Sequence, residues 1–151
     1  MIVIQRARRV DLGAIVAILA ADTAFGHADC TDPAEGAAYA RAFAAIAGSP
    51  TSDLFVAWTK GRVVGTFQLD LIVTLLDHGA TRAVLEAVHV APDQRGRGVG
   101  AAMVAFAVEH ARRRGAASLS LGSNKQRVDA HRFYERLGFA RSHEGFKMKL
   151  S

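Results

Sequence analysis

A glycine-rich segment, Arg95-Gly96-Arg97-Gly98-Val99-Gly100, separates a β-type run from a helical pattern. The predicted helix begins without Ser, Thr, Asp or Asn as a cap, so its first backbone N–H groups have no intramolecular acceptor. Glycine lets the backbone approach a ligand closely, and a helix N-terminus carries partial positive charge. A phosphate or pyrophosphate would satisfy these N–H groups, although the GK[ST] ending of a Walker loop is absent. A solvated Gly-Arg turn is the alternative.

Glu86 interrupts an otherwise apolar run of β-type residues. Burying an unpaired carboxylate in such a strand is expensive, so we expect one of two arrangements. Either Glu86 pairs with a cation, or burial raises its pKa and makes it suited to base chemistry. The sequence pattern does not choose between them.

Tyr134 lies on the apolar face of a predicted helix, together with Ala130, Phe133 and Leu137. A tyrosine in such a stripe commonly serves core packing. Its hydroxyl, with an ordinary pKa near 10, also makes it a proton donor at neutral pH. Both interpretations stay open on spacing alone.

These residues fall within an alternation of strand-like and helix-like segments. Period-two and β-branched runs predict strands, whereas apolar residues at helical spacing predict helices. Asp11 and Asp32 are candidate helix caps. The order indicates an α/β fold built on one mixed sheet flanked by helices. The predicted strands are 2–8, 53–59, 63–76, 82–90, 118–121 and 146–150, and the predicted helices are 11–19, 31–47, 99–114 and 128–137.

The composition indicates a single domain over residues 1–151. Hydrophobic residues make up 50% of the chain and charged residues 22%, which excludes a disordered protein. Cys30 is the one cysteine, so an internal disulfide and a Cys-based metal site are both excluded. No apolar run reaches the ~18 residues of a membrane span, and the apolar stretch at the N-terminus is too short for a signal peptide. We therefore expect a cytoplasmic protein with no membrane partner.

A net charge of +5 favours anionic partners. Many of the cations lie in the C-terminal half, and nucleic acid, anionic lipid and phosphorylated cofactors all fit this charge. Nucleic-acid binding is disfavoured, because aromatic residues form only 7% of the chain and do not alternate with the basic ones. Helical Arg112, Arg113 and Arg114 are interpreted as a solvated face.

Two segments in this order resemble the GNAT superfamily of N-acetyltransferases. The first is Val88-His89-Val90-Ala91-Pro92 leading into residues 95–100, and the second is Ala130-His131-Arg132-Phe133-Tyr134 through Gly138-Phe139. Residues 123–134, with Ser142-His143, are most similar to aminoalkylphosphonate N-acetyltransferases. Many family members carry Asn three residues before the motif alanine, where this chain has Arg127.

The resemblance implies acetyl-CoA as the co-substrate and a single GNAT domain. The strand ending at Val90 is expected to splay from the strand at 118–121, with the pantetheine arm between them. The implied cofactor-binding residues are Val88, His89, Val90, Arg95, Gly96, Arg97, Gly98, Val99, Gly100, Ala101, Asn124, Arg127 and Tyr134. No metal is implied.

The implied reaction is direct attack of a primary amine on the thioester in a ternary complex. An alkylamine of pKa near 10.4 is neutral in only about one molecule in 2,500 at pH 7, a cost of about 4.6 kcal/mol, so a base is needed. The resemblance gives that role to Glu86, acting through water, with His89 and His143 as alternatives. Tyr134 is the implied general acid toward the departing thiolate. The implied acceptor site involves His27, Asp29 and His143.

The sequence is also compatible with two other classes of function. A catalytically silent acyl-CoA-binding protein would carry the same motifs, with Tyr134 as packing and Glu86 as a pairing residue. A nucleic-acid-binding module is the weaker alternative. The expected partner is a small-molecule amine rather than nucleic acid, and a homodimer is left open.

Overall fold

Five strands form one mixed sheet in the order β1-β2-β3-β4-β5 in the computed structural model, which describes residues 1–25 and 28–151. The first four strands pair antiparallel, and β4 and β5 pair parallel. This mixed sheet confirms the predicted α/β class. The strands are β1 (Val3–Arg6), β2 (Ser52–Thr59), β3 (Arg62–Val73), β4 (Thr81–Val90) and β5 (Ser118–Leu121).

The helices connect these strands and cover the sheet. They are α1 (Leu12–Ala20), α2 (Gly36–Ala47), the single turn α3 (Leu76–Gly79), α4 (Val99–Arg113) and α5 (Val128–Arg136). Asp32 accepts a hydrogen bond from the Ala34 N–H at 3.0 Å and so caps the turn before α2, as predicted. Asp11 instead accepts the Arg8 N–H at 2.7 Å and gives α1 no side-chain cap. No helix in the described part of the chain is long and apolar enough to cross a membrane.

The main core lies between the sheet and α4. Phe67, Leu69, Leu85 and Met103 are almost completely buried there. Gly65 is required at this contact, because a Cβ at its position would lie 2.8 Å from the Met103 sulfur. The close approach fixes α4, and with it the glycine-rich segment at its start, against the centre of the sheet.

Strand β4 contains a bulge that the sequence does not predict. Ala87 has φ +51°, and the pairing with β3 shifts register between Thr66 and Gln68. Leu85 and Val88 both contact the α4-side core, although three residues apart in a strand they would face opposite sides. The extra residue therefore places Glu86 and His89 on the same face of the sheet, away from α4.

Strands β4 and β5 stop pairing just before the bulge. Their parallel pairing runs from Arg82 with Ser118 to Leu85 with Leu121 and ends there, whereas β4 continues to Val90. The predicted splay is confirmed. The backbone of residues 86–90 consequently has no strand partner on its β5 side within the described residues.

A buried carboxylate on β2 was not predicted from the sequence. Asp53 is 5% exposed and is bound by Arg6, by His110 at 2.8 Å and by Arg114 at 3.0 Å. Burial raises the pKa of Asp53, but these hydrogen bonds and charges outweigh it and lower the pKa below the usual value. The expectation of a purely solvated Arg114 is therefore wrong, because this side chain joins α4 to the start of β2. Arg112 is 72% exposed, as expected.

The prediction of a last strand at 146–150 is wrong for the chain as it folds here. Residues 140–151 have no regular secondary structure, and Phe146, Met148 and Leu150 are 96%, 81% and 90% exposed. Their alternation is typical of a strand, but a strand needs a neighbour to pair with. The structure provides no such neighbour among its described residues.

Candidate active site

The start of α4 has the features expected of an anion site. Gly98 occupies the N-cap position with φ +84°, and no side chain caps the helix. Gly96 also has a positive φ, +75°. Buried Val99 anchors the first turn, while the backbone of residues 95–98 is exposed. Residues 95–98, which lead into this helix of fifteen residues, are therefore open to an anion.

Gly100 lies at the contact between α4 and α5. A Cβ at Gly100 would lie 3.2 Å from Cζ of Phe133, so this position is where α4 contacts α5. Around Gly98, in contrast, a Cβ would meet no atom within 4 Å. Gly98 faces open space, and Gly100 faces the neighbouring helix.

Val88, His89 and Val90 lie on the splayed part of β4. Val88 and Val90 pack against the α4-side core with their side chains, which leaves the backbone between them to line the splay. Ala101 lies in the first turn of α4. The structure thus brings residues 88–90 and the start of α4 to consecutive positions along one side of the molecule.

A buried carboxylate joins three parts of the chain beside this splay. Asp22, just after α1, is 7% exposed and accepts a hydrogen bond from Arg127 at 2.9 Å. His89 lies 3.3 Å from the same carboxylate oxygen. Burial raises the pKa of Asp22, but Arg127 and His89 outweigh it and lower the pKa below its usual value. Asp22 therefore stays ionised and fixes the positions of Arg127 and His89.

Arg127 stands directly before α5 and also contacts an aromatic ring. Its guanidinium carbon lies 4.4 Å from the centre of the Phe25 ring. The predicted contact of Arg127 with the cofactor would therefore compete with the contacts that its guanidinium already makes with Asp22 and Phe25. Sequence spacing does not reveal these roles of Asp22 and Phe25, because one carboxylate and one ring after a helix form no recognisable pattern.

Tyr134 lies half-buried on α5, next to Phe133 and Phe139. Burial raises the pKa of the Tyr134 hydroxyl above its ordinary value, while the charge of Arg127 lowers it to a smaller extent. The hydroxyl is accordingly protonated at neutral pH. The predicted packing role and the predicted availability of a proton are compatible.

Glu86 is not buried, contrary to the expectation from its apolar strand. The residue is exposed and pairs in register with Gln68 across β4 and β3. Glu86 directly follows Leu85, the last residue of β4 that pairs with β5, and directly precedes the bulge at Ala87, so it lies where the sheet opens to water. No ion pair of Glu86 occurs within the described residues. Neither of the two expected arrangements, burial or pairing, is present.

The three predicted acceptor residues have different outcomes. His27 lies outside the described residues. Asp29 is half-buried and accepts a hydrogen bond from the Tyr39 hydroxyl at 2.8 Å, which ties the segment before α2 to that helix. His143 is exposed within residues 140–151, with its Nδ1 2.7 Å from the Ser142 hydroxyl.

Asn124, a predicted cofactor residue, organises the turn that leads into α5. Its side-chain oxygen accepts the Gln126 N–H at 2.9 Å, and its carbonyl accepts the Arg127 N–H at 2.9 Å. The same carbonyl lies 2.9 Å from Nε2 of His131. These contacts set the position of Arg127 at the start of the helix.

The site fits acetyl-CoA on its own geometry. Exposed, uncapped amides at α4 suit the phosphates, and the opening between β4 and β5 leaves strand backbone available to an extended arm. The described residues contain no group of three or more His, Cys, Asp or Glu able to hold a metal ion.

Comparison with known proteins gives consistent results. The model of the acetyltransferase (GNAT) family matches residues 11–139. An aminoalkylphosphonate N-acetyltransferase of Salmonella typhimurium is 35% identical over 113 residues, covering 75% of this chain and 73% of the relative.

Solved structures are similar over almost the whole chain. A protein from Bacillus halodurans described as a transcriptional regulator has a TM-score of 0.95 and 36% identity, covering 99% of this chain and 100% of its own. An acetyltransferase from Clostridium acetobutylicum, solved with acetyl-CoA, has a TM-score of 0.76 and 17% identity, covering 99% of this chain and 97% of its own. The latter similarity supports the fold alone.

Proposed function

Because the chain belongs to the acetyltransferase (GNAT) family and is an acetyl-CoA-dependent N-acetyltransferase, we propose that it acetylates a small primary amine by direct transfer, with Tyr134 as the general acid. The observation that carries this proposal is the juxtaposition of α5 with the start of α4. Phe133 packs on Gly100, so the neighbouring Tyr134 is held beside the helix start that suits the cofactor.

The backbone amides at the start of α4, from residue 96 to residue 101, would hold the phosphates, and the backbone of residues 88–90 would hold the extended arm. When bound, acetyl-CoA supplies the acetyl group as a thioester. Arg95 and Arg97 are exposed beside these amides and add positive charge. Residues of β4 and α4 thus orient the donor while leaving the other face of β4 to the acceptor.

Tyr134 would donate its proton to the departing thiolate. A thiol of pKa near 8.5 and a phenol of pKa near 10 differ by about 1.5 units, so this proton transfer is uphill by about 2 kcal/mol at ordinary pKa values. Burial of Tyr134 raises its pKa and increases that cost, while Arg127 reduces it. The phenol stays protonated until the thiolate develops.

We assign the base role to Glu86, acting through water. Its exposure allows water and a substrate ammonium to reach the carboxylate, and the bulge at Ala87 turns it to the same face as His89. A base oriented by a third group is the alternative, and His89 with Asp22 has that arrangement. The two assignments predict different variants to be inactive.

The acceptor class follows from the charges on this face. Asp22 and Arg127 lie together beside His89, so the site offers both signs of charge within one cluster. A small zwitterionic amine fits such a cluster better than an apolar one. The Salmonella typhimurium relative makes aminoalkylphosphonates the first candidates.

The direct experiment measures thiol release from acetyl-CoA with a panel of amines. Each aminoalkylphosphonate is paired with an alkylamine of the same length that lacks the phosphonate. We expect release that depends on the amine, with a higher kcat/KM for the anionic member of each pair. Binding of acetyl-CoA without turnover on any amine would support a silent acyl-CoA-binding protein instead. Equal rates within each pair would remove the assignment to zwitterionic amines.

A further inference from the structure

A paired ion contact holds the turn that leads into the glycine-rich segment. Asp93 lies in the short turn 92–94, two residues before Arg95, and accepts two hydrogen bonds from Arg62. Nη1 of Arg62 lies 2.8 Å from one carboxylate oxygen, and Nη2 lies 2.6 Å from the other. Such a two-bond contact fixes the orientation of both groups. Arg62 also holds the pKa of the Asp93 carboxyl well below its usual value, so Asp93 is ionised at neutral pH.

Arg62 belongs to a rigid part of the sheet. It is the first residue of β3 and follows Lys60-Gly61, in which both residues have a positive φ, +51° and +72°. Two consecutive residues of this kind form a hairpin turn that matches the twist of its strands. Val64, two residues further along β3, accepts a hydrogen bond from the Ala91 N–H at 2.8 Å. The start of β3 therefore holds the segment after β4 at two points, once through backbone and once through the Arg62 side chain.

The glycine-rich segment has few other anchors. Ala91 and Val99 are 4% and 2% exposed, but every residue between them is exposed or half-buried. Gly96 and Gly98 adopt positive φ, and glycine loses more conformational freedom than other residues when it is fixed. A segment that is already held in its bound conformation binds a ligand at a lower entropic cost. An anchor at residue 93 would supply part of that order.

A contribution to overall stability does not account for the pair. The side chains of Arg62 and Asp93 are 50% and 58% exposed, and exposed ion pairs contribute little to the free energy of unfolding. A short exposed turn requires less, because the contact has only to select one of its conformations. The effect is then local to the start of α4.

We propose that Arg62 and Asp93 are positioning residues for acetyl-CoA, whose paired contact fixes the turn 92–94 and thereby presets the glycine-rich segment for the phosphates. The positioning role rests on the proposed binding of the phosphates at the start of α4. Neither side chain needs to touch the cofactor.

Asp93→Asn distinguishes positioning from a simple effect of charge. If Asp93 acts only through its charge, removing it should tighten the binding of polyanionic acetyl-CoA. If Asp93 holds the turn through Arg62, calorimetry should instead give a Kd about 3- to 5-fold weaker than that of wild type. Asp77→Asn, in the exposed turn α3, removes the same charge elsewhere and should bind as wild type does.

Arg62→Gln and the double variant complete the cycle. Arg62→Gln leaves the Asp93 carboxylate without its guanidinium, so the Kd should weaken more than in Asp93→Asn. The double variant should bind as Asp93→Asn does, since the effects of two partners in one contact do not add. Arg112→Gln, at the exposed end of α4, is the control for a lost positive charge and should leave the Kd unchanged.

Two further readouts separate positioning from a general loss of structure. For all three variants at residues 62 and 93, Tm should stay near the wild-type value, and so should kcat with saturating acetyl-CoA and amine. Equal or tighter binding by Asp93→Asn, or losses that add in the double variant, would overturn the positioning role. Calorimetry needs no amine, so acetyl-CoA binding without thiol release would refute the proposed transfer and leave these comparisons decisive.

Discussion

Arg127 donates a hydrogen bond at 2.9 Å to the carboxylate of Asp22, 105 residues earlier in the chain. This contact joins the segment after α1 to the start of α5 and brings His89 of β4 into the same cluster. Arg127 also lowers the pKa of Tyr134 against the effect of burial. A single guanidinium therefore connects the acceptor side of the site to the residue proposed as the acid.

Replacing Asp22 by Asn should destabilise the protein in a pH-dependent way. The pKa of Asp22 is lowered in the folded state, so its contribution to stability is fully present above the unfolded value and is lost as pH falls through the folded value. We expect a loss of about 1–3 kcal/mol near pH 7, because Arg127 and His89 lose a buried acceptor.

Thermal melts of Asp22→Asn and wild type between pH 3 and pH 7 check this expectation. The difference in Tm should narrow as the pH falls below about 4, where an ordinary Asp becomes protonated. Asp77→Asn, in the exposed turn α3, is the control and should leave Tm unchanged, because Asn tolerates the positive φ of this position. A Tm difference of constant size over the whole range would contradict the assigned ion pair.

Gly98→Asp should weaken acetyl-CoA binding through charge at the helix start. Gly98→Asn is the matched control, since Asn tolerates a positive φ and has the same shape without the charge. Calorimetry should give a Kd at least ~5-fold weaker for Asp than for Asn, the effect of about 1 kcal/mol at a helix N-terminus. Equal affinity of the two variants would place the phosphates elsewhere.

Gly100 requires a different test, because its Cβ would contact Phe133 rather than a ligand. Gly100→Ala should lower Tm by pushing α5 away from α4. Any loss of acetyl-CoA affinity in that variant would follow from the displaced helix. An unchanged Tm would show that the Phe133 ring can move aside without a loss of stability.

Glu86→Gln should remove base assistance while leaving the fold intact, because the residue is exposed. For an amine of high pKa, kcat/KM should fall strongly at neutral pH and recover partly as the pH approaches the amine's own pKa. Tm should not change. Glu135→Gln, exposed on α5, is the control and should match wild type.

The parallel variant is His89→Gln. If the oriented pair of His89 and Asp22 supplies the base, this variant should show the neutral-pH loss and high-pH recovery, with Glu86→Gln remaining active. That outcome would transfer the base role to His89. Full activity of both variants at every pH would exclude each residue as the base.

The sheet and the helices of this protein could be predicted largely from local pattern. Periodicity identified α1, α4 and α5 to within about two residues of their bounds. Glycine chemistry identified the helix start at Gly98, because a missing cap is visible in the sequence itself. These features depend on residues that are neighbours in the chain.

What sequence could not predict depends on distant contacts. The bulge at Ala87 adds one residue to β4 without any change in composition, yet it decides which way Glu86 and His89 face. Glu86 is exposed where the pairing of β4 with β5 has ended, and buried Asp22 is paired with Arg127, which comes from the start of α5. Residues 146–150 have the alternation of a strand, but whether they pair depends on the availability of a strand edge in the sheet.

Amine acetylation with Tyr134 as the general acid is tested by comparing thiol release by wild type and Tyr134→Phe. Phenylalanine keeps the ring contacts with Phe133 and Phe139, so Tm and the Kd for acetyl-CoA should be nearly unchanged. With a saturating amine, kcat should fall about 10²–10⁴-fold. A Tyr134→Phe variant that folds, binds acetyl-CoA and turns over at the wild-type rate would contradict the role of Tyr134 as the general acid and leave it as a packing residue.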